Sequence, residues 1–363
     1  MIPAGIYTDV FNFTVLGLVI LAAVQGWSGV MFERDTRVFN TIFGVTVVVA
    51  LILFTGLRPV TGHFGDTTNY ALTFRNIQAH GAGFGLTGGG EWVFNTLMTW
   101  FAAHSDIHMF FLFCAAVYVG ALGWALVRIF GTDFFVPLVV ALSMFTFWSY
   151  GVNGVRNGMA ASVMILALSF RRRWIVAVVL AVLAIGIHRS MMLTAAAAVM
   201  TVFVRNPRLW ILGWMGSIVL SLVAGGAISG WLMGSGVIGD DRFTGYLTGD
   251  VADRFRHSGF RWDFLLYSAV PVVLGWYFII RRGLADKFYL WLFNIYLTSN
   301  AFWILVIRAN FSNRFAQISW FIMPLVLIYP FFAKRFWADQ SVKTGTAVVA
   351  FYLYTFYTVF LQG

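Results

Sequence analysis

The sequence predicts an all-α, polytopic integral membrane fold, and three observations lead there. Hydrophobic residues make up 60% of the 363, charged residues only 10%, and mean hydropathy is +0.82, a balance outside the soluble globular range. Apolar runs of about 20 residues, the length a helix needs to cross ~30 Å of hydrocarbon, recur along the whole chain. The basic residues between those runs also differ in kind from one set of loops to the alternate set.

Taken in order, about twelve spans are expected, near 10–32, 38–57, 105–129, 133–150, 154–170, 174–188, 190–204, 209–232, 263–280, 287–308, 314–333 and 344–361. The first run has no basic leader and continues as a full span, so it does not read as a cleavable signal peptide. Arg34, Arg37, Arg128, Arg171 to Arg173, Arg205, Arg208, Arg281, Arg282, Lys287, Lys334, Arg335 and Lys343 then share one side. Cytoplasmic loops are the positive ones, which makes that side the inner face and puts both termini outside. Two long loops, 58–104 and 233–262, fall on the outer side and are expected to form a substrate cleft. Within the first, Glu91 to Ala103 reads as an interfacial helix carrying Trp92, Trp100 and Phe101. No repeat, low-complexity tract or linker interrupts the chain, so 1–363 reads as one integral domain.

The segment 174–204 tests this topology. It must cross twice with limbs of about 15 residues each, or ~22 Å of helix. A single long helix would invert every later loop and place Lys287, Lys334 and Lys343 outside. A short hairpin turning at membrane depth beside a wet cavity preserves the charge pattern. Its tip is His188-Arg189-Ser190.

On this topology ten arginines and no lysine occupy the outer face, while all three lysines lie inside. The positive-inside rule explains the inner set only. A guanidinium is forked and permanently charged, which suits phosphate. The net charge of +10 fits anionic lipid and anionic substrates, whereas nucleic acid is not expected without a soluble basic domain.

Four clusters could carry chemistry. The first runs from Arg58 through Gly65-Asp66-Thr67-Thr68-Asn69-Tyr70: arginine, carboxylate and tyrosine together, or an ordinary loop in which Arg58 anchors a helix end and Asp66 caps the next helix. In the second, Arg156-Asn157 opens a helix whose N-terminal amides already favour an anion. A cation there is unfavourable unless something negative joins it; otherwise Arg156 is a snorkelling interface residue. The third is the hairpin tip, where His188 can exchange protons near neutral pH or simply satisfy a freed carbonyl. The fourth, Arg308 to Arg314 with Asn310 and Asn313, places two arginines at a turn where topology alone calls for none. The second outer loop adds Asp240, Asp241, Arg242, Tyr246, Asp250, Asp253, Arg254, Arg256, His257 and Arg261, a mixture suited to sugars and equally to solvent.

Other chemistries find less support. Gly85 to Gly90 is not a P-loop, because no lysine follows and no strand precedes; it reads as a hinge or lid. Cys114 stands alone, so no disulfide or thiolate cage is expected. His104 and His108 are spaced i,i+4 without a glutamate motif, and neither a metal nor a cofactor is expected.

Arg58 with Gly65 to Tyr70, Arg156-Asn157, His188-Arg189-Ser190, Asp241-Arg242-Phe243 with Tyr246, and Asn313-Arg314, in that order, resemble the EpsG family of Wzy-like O-antigen and exopolysaccharide polymerases. The chain departs from that pattern in having Arg156-Asn157 where Arg-Gln is more usual, and a longer run between Arg58 and Asp66. The resemblance implies a GT-C-like membrane glycosyltransferase of the bacterial inner membrane with a periplasmic active site. Its partners would be a donor and an acceptor glycan, each on undecaprenyl pyrophosphate, together with membrane lipid and a chain-length regulator protein. Catalytic roles would fall to His188 or Asp66 as base and Arg156 on the leaving pyrophosphate. Substrate binding would fall to Arg58, Tyr70, Arg189, Ser190, Arg242, Tyr246, Arg308, Asn313 and Arg314.

Four rivals remain. An O-antigen ligase shares the chemistry. A polyprenyl-phosphate-sugar transferase would want a catalytic aspartate in the first outer loop, which here holds only Asp9. A lipid-linked glycan flippase would line its whole depth with cations. A membrane acyltransferase would want a polar inward channel, and the inner loops are short and merely basic.

Overall fold

The computed structural model describes residues 2–81, 90–234, 260–308 and 313–361, and the side chains of these except at 229–234 and 313–314. Every regular element in them is helical. The helices are α1 (Tyr7–Trp27), α2 (Arg34–Gly56), α3 (Thr67–His80), α4 (Trp92–His104), α5 (Ile107–Phe130), α6 (Phe135–Leu142), α7 (Phe147–Val152) and α8 (Val155–Ser169). They continue with α9 (Trp174–Ile187), α10 (Met191–Phe203), α11 (Pro207–Gly234), α12 (Trp262–Trp276), α13 (Lys287–Leu305), α14 (Asn313–Trp320), α15 (Met323–Ala333) and α16 (Gln340–Phe356). Among the described residues seven helical stretches are long and apolar enough to cross a membrane. Another three, α8, α9 and α10, are apolar but only 13 to 15 residues long.

Two expected spans are each made of two helices, for local reasons, and the second, Phe315–Ala333, still counts among the seven stretches able to cross. The 133–150 stretch divides into α6 and α7: Pro137 sits in the first turn of α6, where its missing N–H costs nothing, and Ser143 Oγ donates to the Val140 carbonyl (2.9 Å) as the helix stops. The 314–333 stretch divides into α14 and α15 because Pro324 has no N–H to continue the ladder from α14. The break at the His188 tip is present: α9 ends, His188 is extended (φ −149°, ψ 122°) and α10 begins at Met191.

The helices gather into two compact units, Met1–Met192 with Phe331–Gly363, and Leu193–Pro330. In the first, small residues let backbones meet. A Cβ on Gly26 of α1 would lie 2.6 Å from Gly345 Cα of α16, and one on Gly56 of α2 would lie 2.7 Å from Leu112 Cα of α5. Without a hydrophobic force between helices in lipid, such close van der Waals contact supplies the attraction.

Arginines stand at both ends of the helices in this unit. Helices α1 and α2 are antiparallel: Tyr7 stacks on Phe54 at 4.7 Å near one end, while Gln25 and Asn40 exchange two 2.9 Å hydrogen bonds near the other. At that second end Arg37 pairs with Asp133 (2.7 Å), and Arg128 donates to Ser169 Oγ (3.1 Å) and lies over Phe170. Arg58 follows the far end of α2 and Arg156 opens the far end of α8, with Asp66 ahead of α3 bonded to Asn153 on that side. Since α2 is 23 residues long, about 35 Å separates the two sets.

The second unit holds its helices partly through buried polar groups. Trp214 Nε1 donates to Asn300 Oδ1 (2.8 Å) and Asn300 Nδ2 to Ser319 Oγ (2.9 Å). Trp320 Nε1 and Tyr296 OH both reach Ser268, at 2.8 and 2.7 Å. Such bonds tie membrane helices together because each polar group otherwise faces hydrocarbon.

Candidate active site

The turn ahead of α8 is the foundation. Its carbonyl at Val152 accepts from Arg58 Nη2 (3.1 Å) and from Thr67 Oγ1 (2.8 Å), and Asn153 Oδ1 accepts the Asp66 N–H (2.8 Å). Gly65 makes the last contact possible. Its φ of +58° is open mainly to glycine, and a Cβ there would collide with the Asn153 amide. Most of the Arg58-to-Thr67 motif is therefore spent gripping Val152 and Asn153 and so aiming α8.

Arg58 is 1% exposed. It donates to the Thr55 carbonyl (2.6 Å) and Thr67 Oγ1 (3.0 Å), and its guanidinium carbon lies 4.7 Å from the Phe111 ring centre. Burial lowers its pKa to about 10, still far above neutral, so the buried group stays charged. Asp66 is exposed. It stands at the N-cap position of α3, but its side chain makes no capping bond and instead accepts from Asn69 Nδ2 (3.0 Å). The capping role open to it from sequence is not the one the carboxylate plays.

One turn along α3, buried Tyr70 faces Arg156. Burial pushes its phenol above the ordinary value, so it remains protonated while its oxygen accepts from Arg156 Nε (3.2 Å). Arg156, in the first turn of α8, lies 5.6 Å from both the Tyr70 and the Phe94 ring centres. Its Nη1 donates to Glu91 Oε2, forming an ion pair with both side chains largely buried. That carboxylate is the negative group a cation at a helix N-terminus requires.

Glu91 reaches further. Its Oε1 lies 3.5 Å from His188 Nε2. On the other side of the imidazole, Ser190 N–H donates to Nδ1 (3.2 Å) and Ser190 Oγ lies 2.8 Å from the same nitrogen. Ser190 Oγ also donates to Asn157 Oδ1 (3.4 Å), closing a circuit back to α8. Close packing fixes the circuit's far side. Gly186 near the end of α9 lies where a Cβ would strike Val93 and Trp92 at the start of α4, and Gly90 lies directly against the Arg189 side chain. These approaches bring Glu91 to His188.

The first unit thus unites Tyr70, Arg156, His188 and Ser190, sets Arg189 beside Gly90, and keeps Arg58 and Asp66 in the support behind them. Arg308 belongs to the second unit, where it is exposed and donates to the Leu222 carbonyl (3.4 Å). Arg242, Tyr246 and the rest of 235–259, residues 82–89 of the glycine run, and the side chains of Asn313 and Arg314 lie outside the described residues.

The chain matches the EpsG family model over residues 41–363. It belongs to the EpsG family. No curated protein and no solved structure matches it. The EpsG assignment and the apolar helices make it a membrane protein, and the family carries a polysaccharide-polymerase-type role. The match takes in Arg58, Asp66, Glu91, Arg156 and His188 alike.

Sequence reading missed Glu91. The sequence marks it only as the start of an interfacial helix, and the structure pairs it with both Arg156 and His188. A signal existed: the chain has two glutamates, Glu33 and Glu91, and only the second falls among the outer arginines.

Proposed function

We propose that this EpsG-family protein polymerises undecaprenyl-pyrophosphate-linked oligosaccharide repeat units at the periplasmic face of the bacterial inner membrane, without metal or ATP. The observation that carries the reading is Arg156 at the N-terminus of α8, joined through Glu91 to the His188 imidazole, with Arg189 packed against Gly90 next to that carboxylate. A guanidinium at a helix N-terminus adds a forked donor to amides already aimed at an anion.

In the reaction, the bond between C1 of the donor's reducing-end sugar and the pyrophosphate oxygen breaks as a hydroxyl of the acceptor repeat unit bonds to C1. Negative charge builds on the departing lipid pyrophosphate, and Arg156 with Arg189 stabilises it there. The acceptor proton passes to His188, with Asp66 the alternative base. Arg58 and Tyr70 support Arg156 from behind; Ser190 adjoins the imidazole. Arg242, Tyr246, Arg308, Asn313 and Arg314 are assigned to the glycan and the second lipid pyrophosphate.

Deleting the gene and resolving lipopolysaccharide or capsule on a gel tests the reading. Loss of a polymerase leaves single repeat units attached, and an intact gene restores the ladder. Absence of any attached unit would instead assign the chain to ligation or flipping.

A further inference from the structure

We infer that Glu91 is a positioning residue for His188: it holds the imidazole with its proton on Nε2 and supports the positive charge that forms when Nδ1 takes the acceptor's proton. The inference rests on the polymerase reading and adds a residue to it.

Ser190 N–H donates to Nδ1, so in the neutral ring Nδ1 carries the lone pair and Nε2 carries the hydrogen. That hydrogen faces Glu91 Oε1 across 3.5 Å. The carboxylate does not depend on His188 for its own place, because Arg156 holds its other oxygen. A base arranged this way has its accepting nitrogen on the Ser190 side, where Asn157 and α8 lie, and its counter-charge already fixed behind it. The transfer balances once the Ser190 N–H gives up the Nδ1 lone pair: the acceptor O–H bond breaks, an N–H bond forms at Nδ1, the oxygen lone pair goes to C1, and the pyrophosphate leaves with the electrons of the broken glycosidic bond. Glu91 gains no proton. Its charge offsets that of the imidazolium.

Charged groups near His188 include Glu91 ahead of α4, Arg156 of α8 through that carboxylate, and Arg189 beside it in the chain. Glu91 favours the protonated ring, so removing its charge moves the titration of the base downward.

The experiment uses purified full-length protein in lipid nanodiscs, with turnover followed from pH 5 to 9 and undecaprenyl pyrophosphate binding measured alongside. Glu91→Gln, which keeps size but can accept from only one of Arg156 and His188, is expected to lower kcat about 100-fold. It should hold undecaprenyl pyrophosphate affinity within about threefold and shift the acid limb of kcat/KM down by about one pH unit. Glu91→Asp, with the charge kept on a shorter arm, is expected to recover part of the turnover with the limb near its wild-type place. It also serves should Glu91→Gln not fold. Full turnover in Glu91→Gln, an unmoved limb, or a loss of affinity as large as the loss of turnover would each overturn the role; the last would make Glu91 only a strut for Arg156. Wild-type protein that neither lengthens glycan nor binds the lipid pyrophosphate would sink the polymerase reading itself, before Glu91 is reached.

Discussion

Arg58 and Arg156 carry the same charge and do different work, and their surroundings decide which. Arg58 is sealed among Thr55, Thr67, Val152 and Phe111 with its donors turned to protein. Arg156 is less deeply buried than Arg58, and Tyr70 and Glu91 hold its guanidinium. Replacing Arg58 by alanine removes the donor to the Thr55 carbonyl and one of two donors to the Val152 carbonyl, at about 1–3 kcal/mol for an acceptor left unpaired where water cannot reach. The expected result is a clearly lower Tm in detergent, not restored by lysine; an unchanged Tm would remove Arg58 from the clamp. Replacing Arg156 by lysine keeps a positive charge but loses the fork that serves Tyr70 and Glu91 together. Polymer ladders in complemented deletion cells should then be as short with Arg156→Lys as with Arg156→Ala, and full ladders with alanine would take Arg156 out of the mechanism.

At the scale of elements, glycines set the distances on which the site depends. Gly65→Ala meets both a strained φ and the Asn153 amide. The backbone part alone costs about 1–2 kcal/mol, so stability and activity should fall together. Gly186→Ala is expected to separate them. Alanine is the better helix former by about 1 kcal/mol, which offsets part of the collision with Val93 and Trp92. The start of α4 must still move away from α9, carrying Glu91 off His188, and turnover should drop at least about tenfold. Thermal shift and turnover on one preparation check this; parallel losses would mean that Gly186 serves folding alone. Much at this scale was legible beforehand. Apolar length located the helices, and the short limbs of 174–204 located the break at His188. The division of 133–150 and 314–333 was not, because hydropathy is blind to a serine that bonds back to its own helix or a proline that withholds one N–H. Glu91 escaped for a related reason: it pairs with Arg156 and His188, residues 65 and 97 positions away, and only packing at Gly90 and Gly186 brings them together.

Across the whole chain, the unequal use of arginine and lysine follows from what each side of a membrane asks of a cation. Loops that need only a positive sign accept either residue, and all three lysines are there. On the proposed polymerase reading, residues that fork onto pyrophosphate are best served by arginine. In the first unit, Arg37 and Arg128 already stand at helix ends opposite to Arg58 and Arg156. Cys114 is buried, so a single introduced thiol can report sidedness cleanly. The most direct measurement is therefore labelling of Ser190→Cys by a membrane-impermeant maleimide. The account predicts reaction from outside intact spheroplasts, slowed when undecaprenyl pyrophosphate is added. Labelling only in inside-out vesicles, with no protection by the lipid pyrophosphate, would contradict it.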